Sequence, residues 1–192
     1  MAKNCQLVFK EDLIILKKEN NFDLFPGVFK NPNLFLACGF GVGLIRPGPG
    51  TWGTLIALPI HHVLSLVLNL EALSIFWILM FFVGVLVCRA SEKILGELDH
   101  SAIVIDEFVA FGLILAFIPN YLYLHLVAFV LFRIFDIFKP FGIGYIDQHV
   151  KGGLGVMLDD LLAAGYTLVV MMVLLLFVNF PLSERLVYGF LR

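Results

Sequence analysis

From Leu34 onward the chain alternates between long stretches without a charged side chain and short polar islands. Residues 55–70 are largely apolar but contain Pro59, His61 and His62. Residues 72–88 form a 17-residue charge-free run between Glu71 and Arg89, residues 108–132 a 25-residue run, and residues 161–182 a 22-residue run. A helix that crosses a bilayer needs about 20 apolar residues. The last run is therefore long enough and the 72–88 run is at the limit. The 108–132 run is too long for one crossing and too short for two.

Pro119-Asn120 breaks that middle run with a turn signal. The pattern therefore predicts a helical hairpin with its tip at Pro119-Asn120 and arms over 101–118 and 121–138. Antiparallel pairing about the tip sets Asp106 level with Arg133, Ile103 with Asp136 and His100 with Lys139. Ionisable groups at that depth in apolar surroundings are costly unless paired or metal-bound, and they mark a functional site.

Charge placement adds a topology. Residues 1–33 hold nine charged side chains and read as a polar N-terminal arm, with a short helix around Glu11–Glu19. The arm lacks the apolar core and cleavage site of a signal peptide. Residues 34–192 form the helical domain. The turns near Asn69–Glu71 and Pro119-Asn120 carry no Lys or Arg. The arm, Arg46 and the segments 89–107 and 133–160 fall on the other side, with ten of the 13 basic residues and Arg133 just below it. By the positive-inside rule that side is cytoplasmic. Five crossings would leave Arg185 and Arg192 on the opposite side, and a non-spanning first segment removes that conflict.

Composition narrows the class. Hydrophobic residues make up 60% of the 192 residues and charged residues 15%, against about 45–50% and about 25% in soluble domains. With 20 Phe, the chain reads as an integral membrane protein or an apolar helical bundle lying against a membrane. A net charge of −2 leaves no basic excess for nucleic acid. Cys5, Cys38 and Cys88 have neither the number nor the spacing of a disulfide framework or zinc site. Oligomeric state is not set by these features.

Four islands carry candidate chemistry. Residues 39–54 run Gly-Phe-Gly-Val-Gly-Leu-Ile-Arg-Pro-Gly-Pro-Gly-Thr-Trp-Gly-Thr, too rich in Gly and Pro for regular helix throughout. Backbone N–H groups there, with Thr51 and Thr54 opening the next helix and Arg46 as a clamp, suit an anion. The structural alternative is a tight loop with Thr51 or Thr54 as N-cap. In Asp99-His100-Ser101-Ala102-Ile103-Val104-Ile105-Asp106-Glu107 the adjacent acids Asp106 and Glu107 suit a divalent cation. Asp99 and Asp106 would share a helix face if the helix began that early; the alternative is N-capping by Asp99 or Ser101. In Arg133-Ile-Phe-Asp136-Ile-Phe-Lys139-Pro140 the i, i+3 spacing lets Arg133, Asp136 and Lys139 pair along one helix. Lys151-Gly-Gly-Leu-Gly-Val-Met-Leu-Asp159-Asp160 reads as a flexible turn followed by two acids, one of them a candidate N-cap. Oxygen ligands without Cys argue for a hard ion such as Mg²⁺, and a hard ion beside cations fits handling of a phosphoryl group.

At these islands the chain closely resembles the phosphatidylglycerophosphatase A family. The matching stretches are residues 46–54 (Arg-Pro-Gly-Pro-Gly-Thr-Trp-Gly-Thr), 103–108 (Ile-Val-Ile-Asp-Glu-Phe), 132–140 (Phe-Arg-Ile-Phe-Asp-Ile-Phe-Lys-Pro) and 151–160, in the family's order and spacing. Phe141 stands where the family often has Trp. The resemblance spans residues 34–180 and omits the arm. It implies an all-α bundle around a central helix. It also implies a Mg²⁺-dependent lipid phosphatase of the bacterial inner membrane that converts phosphatidylglycerophosphate to phosphatidylglycerol and inorganic phosphate.

The expectation is then that Asp106, Glu107, Asp136, Asp159 and Asp160 hold Mg²⁺, with Asp106, Asp136, Asp159, Asp160 and Lys139 catalytic. Arg46, Thr51, Thr54, Arg133, Lys139 and Lys151 would bind the substrate phosphate, and membrane lipid would surround an active site on the cytoplasmic side. A small transporter or ion-conducting protein with intramembrane carboxylates is the alternative of a different class.

Overall fold

The structure, a computed structural model, describes residues 25–97, 100–140, 142–144 and 149–177. The helix expected around Glu11–Glu19, Asp99, Phe141, and the C-terminal Arg185 and Arg192 lie outside the described residues. So does the end of the apolar run 161–182.

Every regular element described is helical. They are α1 (Phe25–Lys30), α2 (Pro32–Ala37), a 3-10 turn (Val42–Leu44), α3 (Pro49–Ser65), α4 (Leu70–Leu95), α5 (Ile105–Phe117), α6 (Leu122–Phe138) and α7 (Gly153–Phe177). Local chemistry sets the boundaries. Asn31 caps α2 by accepting from the Asn33 amide at 3.0 Å, with Pro32 in the first turn. Asn69 caps α4 by accepting from the Ala72 amide at 2.9 Å, and Gly96 ends it with φ of 71°. α3 starts at Pro49 after Gly48, which has φ of 70°. Neither Thr51 nor Thr54 is an N-cap.

α5 is the central helix. All of its residues except Glu107 and Phe117 are buried, and it packs against α3, α4 and α7. Its apolar character on all sides follows from that position. α6 lies mainly along α7 and meets α5 through Phe111, whose ring is 5.8 Å from those of Phe129 and Phe132.

The Pro119-Asn120 tip is where the pattern placed it, but the hairpin's first arm is shorter. α5 begins at Ile105 because residues 102–104 are held under the glycine-rich loop: the Val104 amide donates to the Ala37 carbonyl at 2.9 Å, and a Cβ on Gly43 would collide with the Ala102 carbonyl. The charged partners differ as well. Arg133 meets Glu107 rather than Asp106, and Lys139 meets Asp159 rather than His100.

Two helices are long and apolar enough to cross a membrane, Leu70–Leu95 and Gly153–Phe177. The first exceeds the limit that the 72–88 run suggested because helix continues through Arg89 to Leu95. Both expose large apolar side chains outward, among them Leu79, Phe82 and Leu86 on α4 and Met172 and Leu176 on α7. This fits membrane association. The two helices cross closely: a Cβ on Gly153 would lie 2.4 Å from the Val85 carbonyl oxygen and 2.6 Å from the Arg89 nitrogen. The Gly152-Gly153 island therefore serves helix crossing, with Gly153 already inside α7.

Gly112 performs the same service for Trp77. A Cβ there would lie 2.4 Å from the indole, which is fully buried and donates to His61 Nδ1 at 3.2 Å. The anchored ring cannot retreat. Gly112→Ala is expected to cost about 2 kcal/mol, read as a lowered thermal midpoint of the purified protein. Gly165→Ala, with no heavy atom within 4 Å of the new methyl, should leave the midpoint unchanged or slightly raised.

Candidate active site

The N-termini of α3, α5 and α7 and the C-terminus of α6 meet at one end of the bundle, and each brings polar side chains. α5 supplies Asp106 and Glu107 in its first turn, and α7 supplies Asp159 and Asp160. Oxygens of Asp106, Glu107 and Asp160 all lie within 4.8 Å of one another. Asp106 and Asp160 are buried, and the Glu107 side chain is largely so. In each adjacent pair the first acid accepts from the next backbone amide at 3.0 Å: Asp106 Oδ1 from Glu107, and Asp159 Oδ1 from Asp160. Both acids of α7 are thus inside the helix, not at its cap, because α7 begins at Gly153.

α6 supplies the counter-charges. Arg133 Nη1 lies 2.6 Å from Asp136 Oδ2 and 3.6 Å from Glu107 Oε1. Asp136 in turn lies within hydrogen-bonding reach of Asp160. Lys139, held at the end of α6 with φ of 44°, places Nζ 2.6 Å from Asp159 Oδ2. The five carboxylates expected from the sequence are thus gathered in one place, with Arg133 and Lys139 among them.

α3 closes the site from a third side. The Thr54 hydroxyl donates to the Gly50 carbonyl at 2.9 Å and accepts from Arg133 Nη1 at 3.4 Å, so it is engaged within the protein. Thr51 is half-buried one turn earlier. Arg46 is exposed on the loop before α3, and Lys151 is exposed on the turn before α7. Gly50 carries no polar side chain and was not singled out by the sequence, although it sits four residues before Thr54 on the same helical face. A Cβ at Gly50 would fall 1.9 Å from Glu107 Oε1 and 3.2 Å from Arg133 Nη1. Only a glycine lets the helix backbone come this close to the ion pair.

Electrostatics give the cluster its character. Burial, followed by the neighbouring Glu107 and Asp160 carboxylates, holds Asp106 well above the usual carboxylate range. Burial also raises Glu107; a hydrogen bond with Asp106 opposes this, Asp136 adds to it and Arg133 opposes it. Glu107 Oε2 is buried with no hydrogen-bond partner, and so is Arg133 Nε. Such orphaned groups are costly. The donor set, three carboxylates with one oxygen unsatisfied, fits a hard divalent cation, and the unsatisfied guanidinium N–H fits an anion.

A helical bundle that gathers carboxylates and two cations at one end suits a class, the phosphate-ester hydrolases. Comparison with known proteins agrees. The family model described as Phosphatidylglycerophosphatase A matches residues 35–175, and the chain belongs to that family, a family of phosphoric monoester hydrolases. It is 45% identical over 141 residues to Phosphatidylglycerophosphatase A of Haemophilus influenzae, covering 73% of this chain and 86% of the relative. It is 39% identical over 134 residues to the Escherichia coli protein of the same name, covering 69% and 77%. A Bacteroides thetaiotaomicron relative, 37% identical over 148 residues with 73% and 91% covered, carries a provisional assignment as a phosphatidylinositol-3-phosphatase. No solved structure gives a significant match.

Gly50→Ala tests the closest contact in the site. The methyl must displace Glu107 and Arg133, and misplacement of catalytic groups by about 1 Å can cost about 100-fold in rate. Phosphatase turnover should fall by that order while far-ultraviolet circular dichroism keeps its helical signature.

Proposed function

We propose that the protein is a Mg²⁺-dependent phosphatidylglycerophosphatase of the bacterial inner membrane, acting at its cytoplasmic face. The observation that carries this reading is the convergence of Asp106, Glu107 and Asp160 beside Arg133, with a buried Glu107 oxygen left without a donor. The relatives' names supply the substrate, and the bias of basic residues toward the site's end of the bundle supports its side of the membrane.

In this reading Asp106, Glu107 and Asp160 would hold Mg²⁺, with Asp136 and Asp159 next to them. When bound, the ion supplies Lewis-acid polarisation of the phosphoryl oxygens and neutralises charge that develops on them. Arg133 and Lys139 neutralise the phosphate. Asp136 and Thr54 hold the guanidinium in place, and Asp159 holds the ammonium. Arg46 and Lys151, exposed on the two flanking turns, meet the anionic head group as it enters, and Thr51 helps to orient it. Overall, water adds to phosphorus, the bond from phosphorus to the glycerol oxygen breaks, and that oxygen takes a proton. The products are phosphatidylglycerol and inorganic phosphate. The apolar sides of the bundle keep the acyl chains in lipid throughout.

The test is release of inorganic phosphate from phosphatidylglycerophosphate by the purified protein, with Mg²⁺ and with EDTA. Release should require Mg²⁺, and Asp106→Asn and Asp160→Asn should each lower it by about 100-fold or more without loss of helicity. Release undiminished by EDTA would overturn the metal assignment. Faster hydrolysis of phosphatidylinositol 3-phosphate would move the substrate to the one printed for the Bacteroides relative.

A further inference from the structure

The loop between α2 and α3 has two faces. Its inner face and the first turns of α3 are built for close packing: Cβ atoms on Gly39 in the loop and Gly53 in α3 would collide with Val104, one on Gly43 with Ala102, and one on Gly50 in α3 with Glu107. The loop is thereby pressed against the segment that carries Asp106 and Glu107. Its outer face exposes large apolar side chains. Phe29 beside it is 56% exposed, Phe40 and Ile45 are each 45% exposed, and Trp52 at the start of α3 is 40% exposed. Lys30 and Arg46, both exposed, stand among them.

These side chains are held outward. Phe40 has φ of 61°, a left-handed conformation costing a non-glycine residue of order 1 kcal/mol. Its ring packs edge-on against Phe35 at 5.7 Å, and Phe35 packs on Phe29 at 5.6 Å. The Trp52 indole N–H donates to the Pro47 carbonyl at 3.1 Å, which satisfies its one polar atom within the loop. The loop leaves from α2, which packs on α4, one of the two helices long and apolar enough to cross a membrane, and α4 exposes Leu79, Phe82 and Leu86.

Aromatic rings interleaved with basic side chains, at the end of helices long enough to span a bilayer, match the chemistry of the membrane–water interface. We propose that Phe29, Phe40, Ile45 and Trp52 form a docking surface that seats in the head-group layer of an anionic lipid bilayer. That would hold the mouth of the acidic site at the depth of lipid phosphates. The inference rests on exposure, loop geometry and charge, and it stands whichever lipid the site hydrolyses.

Depth-resolved fluorescence tests it on the full chain. The protein is reconstituted into vesicles of phosphatidylglycerol and phosphatidylcholine, the latter brominated either next to the head group or near the chain terminus. The emission difference between the wild type and Trp52→Phe isolates Trp52, because buried Trp77 is common to both. Trp52 emission should be lost mainly to the bromines next to the head group. Ile45→Trp, read as its difference from the wild type, gives a second reporter should Trp52→Phe not fold, and the same loss is expected. Three results would overturn the proposal: quenching only by aqueous iodide, strongest quenching by the chain-terminal bromines, or protection from both, which would mean that protein covers the patch. The readout is bilayer contact rather than turnover, so its failure leaves the phosphatase reading standing.

Discussion

Five carboxylates gathered at the end of an apolar helical bundle set the main constraint on this molecule. Water would solvate such groups at little cost; here they are buried or largely buried, and mutual repulsion adds to desolvation. The fold answers with two cations from one helix. Arg133 serves Asp136 and Glu107 together, and Lys139 reaches across to Asp159. The compensation is incomplete, because one Glu107 oxygen and one Arg133 nitrogen remain buried without partners. Such atoms suit the cation and anionic ester proposed for the site, although Ser91 Oγ and His125 Nε2 are likewise buried without partners.

The rest of the architecture serves this end. The central helix is buried on nearly all sides, so its first turn cannot drift toward solvent and carries Asp106 and Glu107 in fixed register with α3, α6 and α7. Glycines govern how near the other helices come. Gly50 admits the ion pair against α3, Gly53 admits Val104, and Gly153 lets α7 close on α4. At the opposite end the requirement is different. There His61 and His125 are buried, with their imidazole rings 6.2 Å apart; the Trp77 indole donates to His61, while His125 Nε2 is buried without a hydrogen-bond partner.

Much of this was legible in the chain. The helices over the apolar runs and the break at Pro119-Asn120 express local rules, and among the described residues they fall where those rules place them; the caps offered at Thr51, Thr54 and Asp159 do not, because α3 starts at Pro49 and α7 at Gly153. The convergence of Asp106, Glu107, Asp136, Asp159 and Asp160 was legible too, since acids isolated in apolar sequence have few tolerable places other than beside one another and a counter-charge. Less legible was which partner each would take. A hairpin with ideal arms pairs Asp106 with Arg133. In the structure α6 lies mainly along α7 rather than along α5, and the arginine goes to Glu107 instead.

What the sequence determined by itself was the helical class, the approximate extent of the helices, the five acids and the two cations, Arg133 and Lys139, that gather at one end, and the family they resemble. Periodicity, capping chemistry and the cost of burying charge act over one or a few turns and can be read along the chain. Only the tertiary structure decided that Gly50 sits against the ion pair, that Thr54 braces Arg133, that Lys139 crosses to Asp159 and that Phe40 and Trp52 are left exposed. Those relations depend on the distance and rotation between helices far apart in sequence, and a rotation of a single residue, about 100° on a helix, is enough to change every partner.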